Sequence, residues 1–385
     1  MPLSVCLLTR NEEKNIARAI GSVAGAADEV LVTDTGSSDR TVEMARHLGA
    51  RVIDYGWMDD FAAARDHAIA HARHDWILWL NPDEELLPES FEPLRECSTR
   101  VDALGFYALV TDIHRLEQPP SSSETAQLRL FRRRPDVHSV GRLHPVFVPS
   151  FEEIAGREGK HVAYAKIAIR RHAYLSQLDE GKLRWSLRLL ELELRDRPGQ
   201  LHYLIEYGRT LLLANNLRGH EVLAEAVEQI IAVRKAAGAP LPEVQRLLEY
   251  VLTVDPAQSR SRLSRDEARA LALRWFPNSP PILWQIAQHH FQAGEFRQAS
   301  RLLEKLVDLG RSGAYDRSEG FDPTIVGEPA LMNLGACHTR LREFDKAEAC
   351  FLQLLNGDRF REKAAQNLAV VQALRSQGAA PDSST

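Results

Sequence analysis

VLVTDTGSSDRTVEMA (30–45), DDFAAARDHAIAHARHDWILWL (59–80) and NPDEE (81–85) are the stretches that decide the fold of this 385-residue chain. In the first two, an apolar run of strand length lies next to a segment with the polar and apolar spacing of an amphipathic helix. LSVCLL at 3–8 and the helical spacing over 12–23 add a further unit of the same kind. This alternation predicts a parallel sheet with helices on both faces, because parallel neighbours need a crossover whose helix buries its apolar side.

The predicted strand ends form one polar edge. The pattern predicts strands at 3–8, 29–33, 51–54 and 75–80 and helices over 12–23, 39–48 and 60–73. Ligands of such sheets bind outside the carboxyl ends of the strands. Those ends carry Thr9–Glu12, Asp34–Ser37 and Asn81–Glu84, which are polar and twice acidic. We therefore expect a binding crevice at this edge.

The crevice lacks the glycine-rich loops that commonly hold phosphate. No G-x-G-x-x-G follows the first strand, and no loop ends in Gly-Lys-Ser/Thr. The first turn reads Arg10-Asn11-Glu12-Glu13 instead, and its carboxylates repel phosphate. Such a site can hold a nucleotide diphosphate when side chains bind the base and ribose and a divalent cation bridges the phosphates to a carboxylate.

At these residues the chain resembles the family 2 glycosyltransferases of GT-A fold, and among them the bacterial subgroup with a C-terminal tetratricopeptide array. The matching motifs are LTRNEE (8–13), DTGSSDRT (34–41), DFAAARD (60–66), RLFR (129–132) and GRLH (141–144). The segment 170–198 follows them, in which a basic residue, a histidine and an aromatic lead into a long helix. The resemblance implies an α/β fold, in which a GT-A, Rossmann-like nucleotide-sugar domain is followed by an all-α helical repeat domain. We expect these domains at 1–180 and 181–376, and the small, polar residues of 377–385 predict a disordered tail.

The same resemblance implies a set of site residues. It assigns the base and its ribose to Thr9, Asn11, Glu12 and Asp34, the ribose-diphosphate to Arg65, and the metal to Asp83. His144 matches the histidine of the family's His-Glu pair and is expected to be a second metal ligand or to face the acceptor. A carboxylate and an imidazole suit Mn²⁺ or Mg²⁺, with diphosphate oxygens and water completing the coordination shell.

Two departures from the family pattern concern the chemistry. Asn81 stands where the family has the first acid of D-x-D, and its amide can bond a ribose hydroxyl but brings no charge to a metal. Asn81→Asp is therefore expected to tighten metal binding if residue 81 faces the ion. Pro145 replaces the glutamate of the His-Glu pair, which removes a candidate general base. The sequence leaves the base open among Glu84, Glu85 and Asp112.

Several of these residues also have a purely structural interpretation. Asp34 and Asp39 suit a turn and a helix N-cap. A lone histidine such as His144 is often a surface or core residue, and the run Arg132–Arg134 is typical of a solvated charged face. Trp185 lies on an amphipathic helical segment, which favours a helix-packing residue.

Beyond residue 198 the sequence becomes helical and repeats. ILWQIAQHHFQAGEFRQASRLLEKLV (282–307) and ALMNLGACHTRLREFDKAEACFLQLL (330–355) align without a gap at an offset of 48 residues. Small and large apolar residues recur at tetratricopeptide positions, and a Gly/Asp-rich insertion at 310–327 absorbs the excess over a repeat of about 34 residues. The concave surface of such an array is predicted to carry the polar side chains Gln285, Gln288, His289 and Asn333.

Composition narrows the possible partners and compartment. A net charge of −5 and a pI near 6.3 argue against nucleic acid as a partner. The sequence has no recognisable signal peptide and no apolar stretch of membrane-spanning length. Its four cysteines lack metal-binding spacing. We therefore expect a cytoplasmic protein without a transmembrane segment, and peripheral attachment to the inner face of the membrane is a further expectation.

These observations predict a glycosyltransferase that moves a sugar from a nucleotide-diphosphate donor, with a UDP-sugar favoured. The expected acceptor is a protein, a peptide or a glycan precursor, held by the repeat array. Inversion at the anomeric carbon follows from the resemblance alone. The alternative is a catalytically silent relative whose repeats form a protein-binding scaffold, and Asn81 and Pro145 favour that alternative.

Overall fold

The structure is a computed structural model that describes residues 2–115, 121–172, 180–233, 241–255 and 257–378. The chain divides into two compact units, Met1–Leu223 and Ala224–Thr385. This division falls later in the chain than the domain boundary at residue 180 expected from the sequence, which stays a prediction. Of the tail predicted at 377–385, residues 379–385 lie outside the described residues, and 377–378 end the last helix.

The first unit is built from strands and helices that alternate at first and then give way to long strands. The strands are β1 Leu3–Thr9, β2 Glu29–Asp34, β3 Arg51–Asp54, β4 Trp76–Trp79, β5 Glu84–Leu86, β6 Ala103–Arg115, β7 Ser121–Arg132, β8 His138–Val140, β9 Val146–Val148 and β10 His161–Arg171. The helices are α1 Ile16–Val23, α2 Thr41–His47, α3 Phe61–His71, α4 Phe91–Thr99, α5 Phe151–Glu158, α6 Glu180–Asp196, α7 Leu201–Leu213 and α8 Arg218–Val233. Helix α8 runs across the boundary between the two units.

The main sheet is mixed rather than purely parallel. Its strand order is β3-β2-β1-β4-β7-β6-β10-β5. Strands β1 to β4 pair in parallel, as predicted from their alternation with helices. The other half departs from the prediction, because β7 pairs antiparallel with both β4 and β6, and β5 pairs antiparallel with β10. The predicted α/β, Rossmann-like fold followed by a helical region is confirmed, whereas the expectation of an all-parallel sheet is wrong.

The sheet is buried on both faces, as its apolar strands require. Alternate residues of β1 point to opposite faces because the side-chain period of a strand is two. Val5 and Leu7 pack into the core that contains α1, and Cys6 packs into the other core. Phe131 of β7 and Phe151 of α5 lie in that second core, with ring centroids 5.4 Å apart. Burial of these side chains stabilises the fold by roughly 1.5–3 kcal/mol each.

A buried carboxylate, Glu29, joins three segments at the start of β2. Its oxygens accept hydrogen bonds from the Ser4 hydroxyl at 2.6 Å, from the Arg51 guanidinium at 2.7 and 2.9 Å, and from the backbone N–H of Arg73 at 2.8 Å. Burial alone would raise the pKa of Glu29. The hydrogen bonds from Ser4, Arg73 and Arg51 outweigh burial, so this pKa lies below its ordinary value of 4.5.

Within 170–198 the sequence predicts a basic residue, a histidine and an aromatic that lead into a long helix, and the structure has such a helix at the end of that span. Residues 170 and 171 end strand β10, and α6 begins at Glu180, while residues 173–179 lie outside the described residues. Helix α6 buries Leu189, Leu190 and Glu193.

The second unit is helical. Besides the end of α8 it contains α9 Glu243–Thr253, α10 Arg265–Trp275, α11 Pro280–Gln292, α12 Phe296–Ser312, α13 Glu328–Arg340, α14 Phe344–Leu354 and α15 Arg361–Gly378. The hairpins α11–α12 and α13–α14 are the two sequence repeats. Gly335 of α13 faces the Phe351 ring so closely that an added Cβ would lie 2.6 Å from it. The small residue predicted at the helix seam is therefore required by packing.

Within the described residues, no helix combines the length and the apolarity needed to cross a lipid bilayer.

Candidate functional site

A cleft of about 480 Å³ opens at the carboxyl ends of β1, β2 and β4, where the sequence predicts a binding crevice. Six predicted site residues line it: Thr9, Glu12, Arg65, Asn81, Asp83 and His144. Its other lining residues are Leu8, Arg10, Thr35, Trp57, Phe61, Trp79, Pro82, Leu143, Pro145 and Trp185. The predicted residues Asn11, Asp34, Glu84, Glu85 and Asp112 are not among the lining residues.

The Asp34 carboxylate organises the loop that follows β2. One oxygen accepts from the backbone N–H groups of Gly36 and Ser37 at 3.0 and 2.8 Å. The other accepts from the Ser37 hydroxyl at 2.5 Å and from the Thr9 hydroxyl at 3.2 Å. A carboxylate has about four acceptor positions, and four donors occupy them here. Asp34 thus shapes the floor of the cleft, and its predicted contact with the base stays a prediction.

Asn11 joins the loops after β1 and β2. Its backbone is left-handed, with φ of 57°, a conformation that Asn adopts more readily than most residues. The Asn11 N–H donates to the Ser37 hydroxyl at 2.9 Å, and its side-chain oxygen accepts from the Ser38 N–H at 2.8 Å. The adjacent Glu12 donates its N–H to the Thr41 hydroxyl at 2.7 Å and turns its side chain to the cleft. Asn11 therefore holds the two loops together without lining the cleft itself.

Asp39 has the structural role that its position suggested. Its carboxylate accepts from the N–H of Thr41, the first residue of α2, at 3.0 Å, and from the N–H of Glu13 at 3.1 Å. Burial opposes ionisation, but together the hydrogen bonds from Thr41 and Glu13 outweigh it and lower the pKa of Asp39 below its usual range. Asp39 thus fixes the start of α2 and the end of the first turn together.

Arg65 reaches the cleft from α3. That helix begins after Asp60, whose side chain accepts from the Ala63 N–H at 3.0 Å. Arg65 donates its Nε to the Ser139 hydroxyl at 2.7 Å and stacks over the Phe147 ring at 4.0 Å. One terminal nitrogen of Arg65 is buried and has no hydrogen-bond partner within the described residues. Burial lowers the pKa of Arg65 to about 10, so the side chain stays a cation at neutral pH. An anionic ligand would satisfy the unpaired donor.

The GRLH segment positions His144 through a close approach of the backbone to α7. Gly141 has φ of 115°, and an added Cβ would lie 1.7 Å from the Tyr203 hydroxyl, so only glycine fits there. Arg142 donates its N–H to the buried Glu193 of α6 at 2.9 Å, which ties the segment to the helix. His144 itself is left-handed, with φ of 50°, and lines the cleft.

Asp83 brings negative charge to the cleft. Burial raises the pKa of Asp83, the carboxylates of Glu84 and Glu12 raise it further, and Arg171 opposes them. The described residues include no ion pair of Asp83 or of Glu12. A divalent cation would relieve this excess of negative charge, so the donor set fits one. No cluster of three or more potential metal ligands occurs in the described parts of the chain. Asp83 and His144 would accordingly need ligand oxygens to complete a coordination shell.

The three candidate general bases lie outside the cleft lining, in ion pairs. Glu84 is fully buried and accepts hydrogen bonds from Arg129 and Arg171 at 2.7 Å each. Glu85 pairs with Arg170 at 3.1 Å. Asp112 lies 3.1 Å from Arg171 and has its pKa raised by burial. The structure therefore does not bring these carboxylates to the cleft, and the identity of the general base stays a prediction.

Three aromatic rings on one wall of the cleft were not predicted as site residues. Trp57 lies 4.9 Å from Phe61 and 5.9 Å from Trp185, measured between ring centroids. The Trp57 indole N–H donates to Asp59 at 3.0 Å, which fixes the ring. Trp185 thus packs against other elements, as the sequence suggested, and also lines the cleft. Arg133 and Arg134 lie elsewhere, paired with Asp75, Asp136 and Glu158.

Comparison with known proteins agrees with the resemblance in sequence. Residues 4–111 match the family model of glycosyl transferase family 2. A TPR repeat-containing protein of Synechococcus elongatus is 32% identical over 256 residues, which are 66% of this chain and 61% of that protein. An uncharacterized glycosyltransferase of Rickettsia typhi is 42% identical over 87 residues, which are 23% of this chain and 30% of that protein. The chain spans less than two thirds of the length of either curated relative.

Among solved structures, glucosyl-3-phosphoglycerate synthase from Mycobacterium tuberculosis, in complex with Mn²⁺, UDP and glucosyl-3-phosphoglycerate, is 18% identical. The match covers 50% of this chain and 78% of that one, with a TM-score of 0.33.

Proposed function

We propose that this chain, whose residues 4–111 form a glycosyl transferase family 2 domain, transfers a sugar from a nucleotide-diphosphate donor to an acceptor. The observation that carries the proposal is the convergence of Arg65, Asp83 and His144 on one cleft at the ends of parallel strands. A diphosphate is bound by a cationic donor and a bridging cation, and these residues can supply both in the same cleft.

Thr9, Glu12 and Asn81 are proposed to bind the base and ribose, because they are the polar side chains where β1 and β4 end. The Asn81 amide can donate to and accept from ribose hydroxyls. Asn11 and Asp34 would not contact the nucleotide but would hold the loops after β1 and β2 in place. A UDP-sugar is the favoured donor on the resemblance of the motifs.

Arg65 is proposed to bond the diphosphate through its unpaired buried nitrogen. Asp83 would hold Mn²⁺ or Mg²⁺, with His144 as the second protein ligand. Such a cation would stabilise the negative charge that develops on the leaving diphosphate. The aromatic wall of Trp57, Phe61 and Trp185 excludes water from that side of the cleft.

The acceptor is proposed to be a protein, a peptide or a glycan precursor held by the helical repeats. In the second unit, Gln288, Gln292 and Asn333 line a cavity of about 240 Å³ with Phe291. Polar amides beside an aromatic ring suit an acceptor that has both polar and apolar groups. An inverting transfer, a cytoplasmic location and peripheral attachment to the membrane remain predictions.

A catalytically silent, nucleotide-binding scaffold is the second candidate, and one observation favours it. Glu12 and Asp83 are the carboxylates that line the cleft, and Pro145 stands at the position of a family glutamate. An inverting transfer needs a base at the acceptor. A protein that binds the nucleotide sugar but neither transfers nor hydrolyses it would fit this candidate.

The experiment that tests the proposal is a thermal-stability panel of nucleotide sugars with and without Mn²⁺. A ligand present at 100 times its Kd stabilises the native state by about 2.7 kcal/mol. For a unit of this size each kcal/mol raises the Tm by roughly 2–4 °C. One nucleotide sugar should therefore raise the Tm by about 5–11 °C, and more with Mn²⁺ than with EDTA.

Asp83→Asn should remove the Mn²⁺-dependent part of that shift, and Arg65→Gln should remove most of the rest. Glu89→Gln is the matched control, because Glu89 is an exposed acid on the same segment and does not line the cleft. If no nucleotide sugar stabilises the wild-type protein under either condition, the proposal is refuted. Release of free nucleotide in the presence of acceptor candidates then separates the enzyme from the silent scaffold.

A further inference from the structure

We infer that Glu84 is a positioning residue: with Arg129 and Arg171 it holds the turn Asn81–Asp83 in the shape that presents Asp83 to the cleft. The inference rests on the proposed function. It gives the fully buried Glu84 a role that differs from the general base considered from the sequence.

Glu84 holds Asn81 through both its backbone and its side chain. One Glu84 oxygen accepts from the Asn81 backbone N–H at 2.8 Å, and the other accepts from the Asn81 side-chain amide at 3.0 Å. The Glu84 N–H in turn donates to the Asn81 carbonyl at 3.0 Å. Three hydrogen bonds therefore join the two residues that flank Pro82 and Asp83, and they leave the turn little freedom.

Two arginines from distant strands anchor Glu84. Arg129 of β7 donates to it at 2.7 Å and also donates to the carbonyl of Trp79, the last residue of β4, at 3.2 Å. Arg171 of β10 donates through two nitrogens at 3.0 and 2.7 Å. The pairing of β10 with β5 sets Arg171 directly opposite Glu84. The turn is thus fixed to the sheet on both sides.

The far end of the turn is fixed as well. The backbone N–H of His172, the residue after β10, donates to the Asp83 carbonyl at 3.0 Å. Glu84 holds the start of the turn and His172 holds its end, so the orientation of the Asp83 side chain depends on where β10 lies. Substitutions in β10 can therefore affect the cleft although the strand does not line it.

The charges of this cluster balance without Asp83. Arg129 and Arg171 are positive, and Glu84 and Asp112 are negative, with Asp112 lying 3.1 Å from Arg171. Two positive and two negative groups leave no net charge. The negative charge of Asp83 is then left for a ligand in the cleft, which is what a cation site requires.

The neighbouring residue in β10 offers a matched control. Arg170 pairs with Glu85 across the same two strands, at 3.1 Å. Successive residues of a strand face opposite sides of the sheet. The Arg170 side chain is 43% exposed, whereas Arg171 is 23% exposed and the Glu84 that it contacts is 0% exposed. The two Arg–Glu pairs have the same chemistry, but only one of them touches the turn.

The test compares Arg171→Lys with Arg170→Lys in the full-length protein. Lysine keeps the positive charge but loses the paired guanidinium bonds, so the folded protein should persist while the turn loosens. Binding of Mn²⁺ alone is measured by electron paramagnetic resonance. Binding of UDP is measured by calorimetry, with Mn²⁺ and with EDTA. Arg129→Lys, which loosens Glu84 from another strand, is the second variant, and far-ultraviolet circular dichroism reports folding.

Arg171→Lys and Arg129→Lys should raise the Kd for Mn²⁺ by about 10-fold or more, the range found when groups that orient a metal ligand are lost. Arg170→Lys should change it by less than about twofold, as expected of an exposed pair. In Arg171→Lys and Arg129→Lys the affinity for UDP should fall more with Mn²⁺ than with EDTA, because in EDTA only the proposed contact of Asn81 with the ribose is disturbed. In Arg170→Lys the affinity for UDP should stay unchanged under both conditions.

An unchanged Kd for Mn²⁺ in folded Arg171→Lys would overturn the inference, since the cluster would then serve stability alone. Equal losses of UDP affinity with Mn²⁺ and with EDTA would also overturn it, because the Mn²⁺-dependent part of the affinity would then be untouched by the change in the turn. A wild-type protein that binds no Mn²⁺ would overturn it too, because Asp83 would then hold no cation. If Mn²⁺ shows the expected pattern but UDP does not bind at all, the proposed function fails while the role of Glu84 stands.

Discussion

Substitution of Asp34 should separate the two roles considered for this residue, loop organiser and base contact. Asp34→Ala removes the acceptor for two backbone N–H groups, those of Gly36 and Ser37. These donors cannot turn to other partners, whereas the two hydroxyls that also donate to Asp34 can rotate. Asp34→Asn keeps a carbonyl oxygen for the backbone donors, and its amide can donate to the hydroxyls.

The structure sets the size of the two effects. A hydrogen bond to a charged group contributes roughly 1.5–3 kcal/mol, and solvent compensates for part of it here because Gly36 is exposed and Ser37 is half-buried. We expect Asp34→Ala to cost about 2–3 kcal/mol and Asp34→Asn about 1 kcal/mol. At roughly 2–4 °C for each kcal/mol, the Tm should fall by about 4–12 °C in the first variant and 2–4 °C in the second.

Differential scanning calorimetry measures these shifts without any ligand. Asp54→Ala is the control, because Asp54 is the exposed final residue of β3 and pairs in register with Asp34. A Tm for Asp34→Ala equal to that of wild type would refute the role in the loop. Nucleotide binding is then compared below the Tm. A loss of affinity in Asp34→Asn with an almost unchanged Tm would point to direct contact with the base.

Other expected outcomes concern different parts of the chain. Because the pKa of Glu29 is lowered in the native state, its contribution to stability is present above its ordinary value of 4.5 and is lost as the pH falls through the lower folded value. Glu29→Gln should therefore flatten the fall in unfolding free energy below pH 4.5, measured by urea titration, and parallel curves would contradict this. Asn81→Asp should weaken Mn²⁺ binding, contrary to the expectation from sequence, because the new carboxylate would meet that of Glu84; tighter binding in calorimetry would show that residue 81 turns to the ion. The double substitution Gln288→Ala and Asn333→Ala should reduce transfer to the natural acceptor while nucleotide affinity stays unchanged. Full transfer in a product assay would show that the cavity in the repeats does not bind the acceptor.

The sequence predicts the parallel half of the main sheet, because there the local apolar pattern also indicates which strands are neighbours. β1 to β4 alternate with α1 to α3, so the apolar period of each segment identifies both its type and its parallel neighbours. The same pattern placed Thr9, Glu12, Asn81 and Asp83 at strand ends, and all four line the cleft. Here the position of a residue follows from where its own strand ends.

The long strands β6, β7 and β10 could not be predicted in this way. β6 and β7 follow each other in the chain and pair, but β7 also pairs with β4 and β6 also pairs with β10, and these partners lie far away in sequence. Polar residues such as Ser121–Glu124 interrupt the apolar alternation at the start of β7. Pairing of this kind depends on contacts between distant segments rather than on any local period.

The surroundings of Glu84 could not be predicted from the sequence, because they depend on how β7 and β10 pair with other strands. In NPDEE it stands beside the expected metal ligand Asp83, and the sequence therefore leaves it among the candidates for the general base. Its burial comes from Arg129 and Arg171, which lie 45 and 87 residues further along the chain. Both arginines belong to motifs of the resemblance, in RLFR and in the basic residue before the histidine. Neither arginine lines the cleft, and the role inferred for Glu84, to hold the turn Asn81–Asp83, can be recognised only from the pairing of β7 with β4 and of β10 with β5.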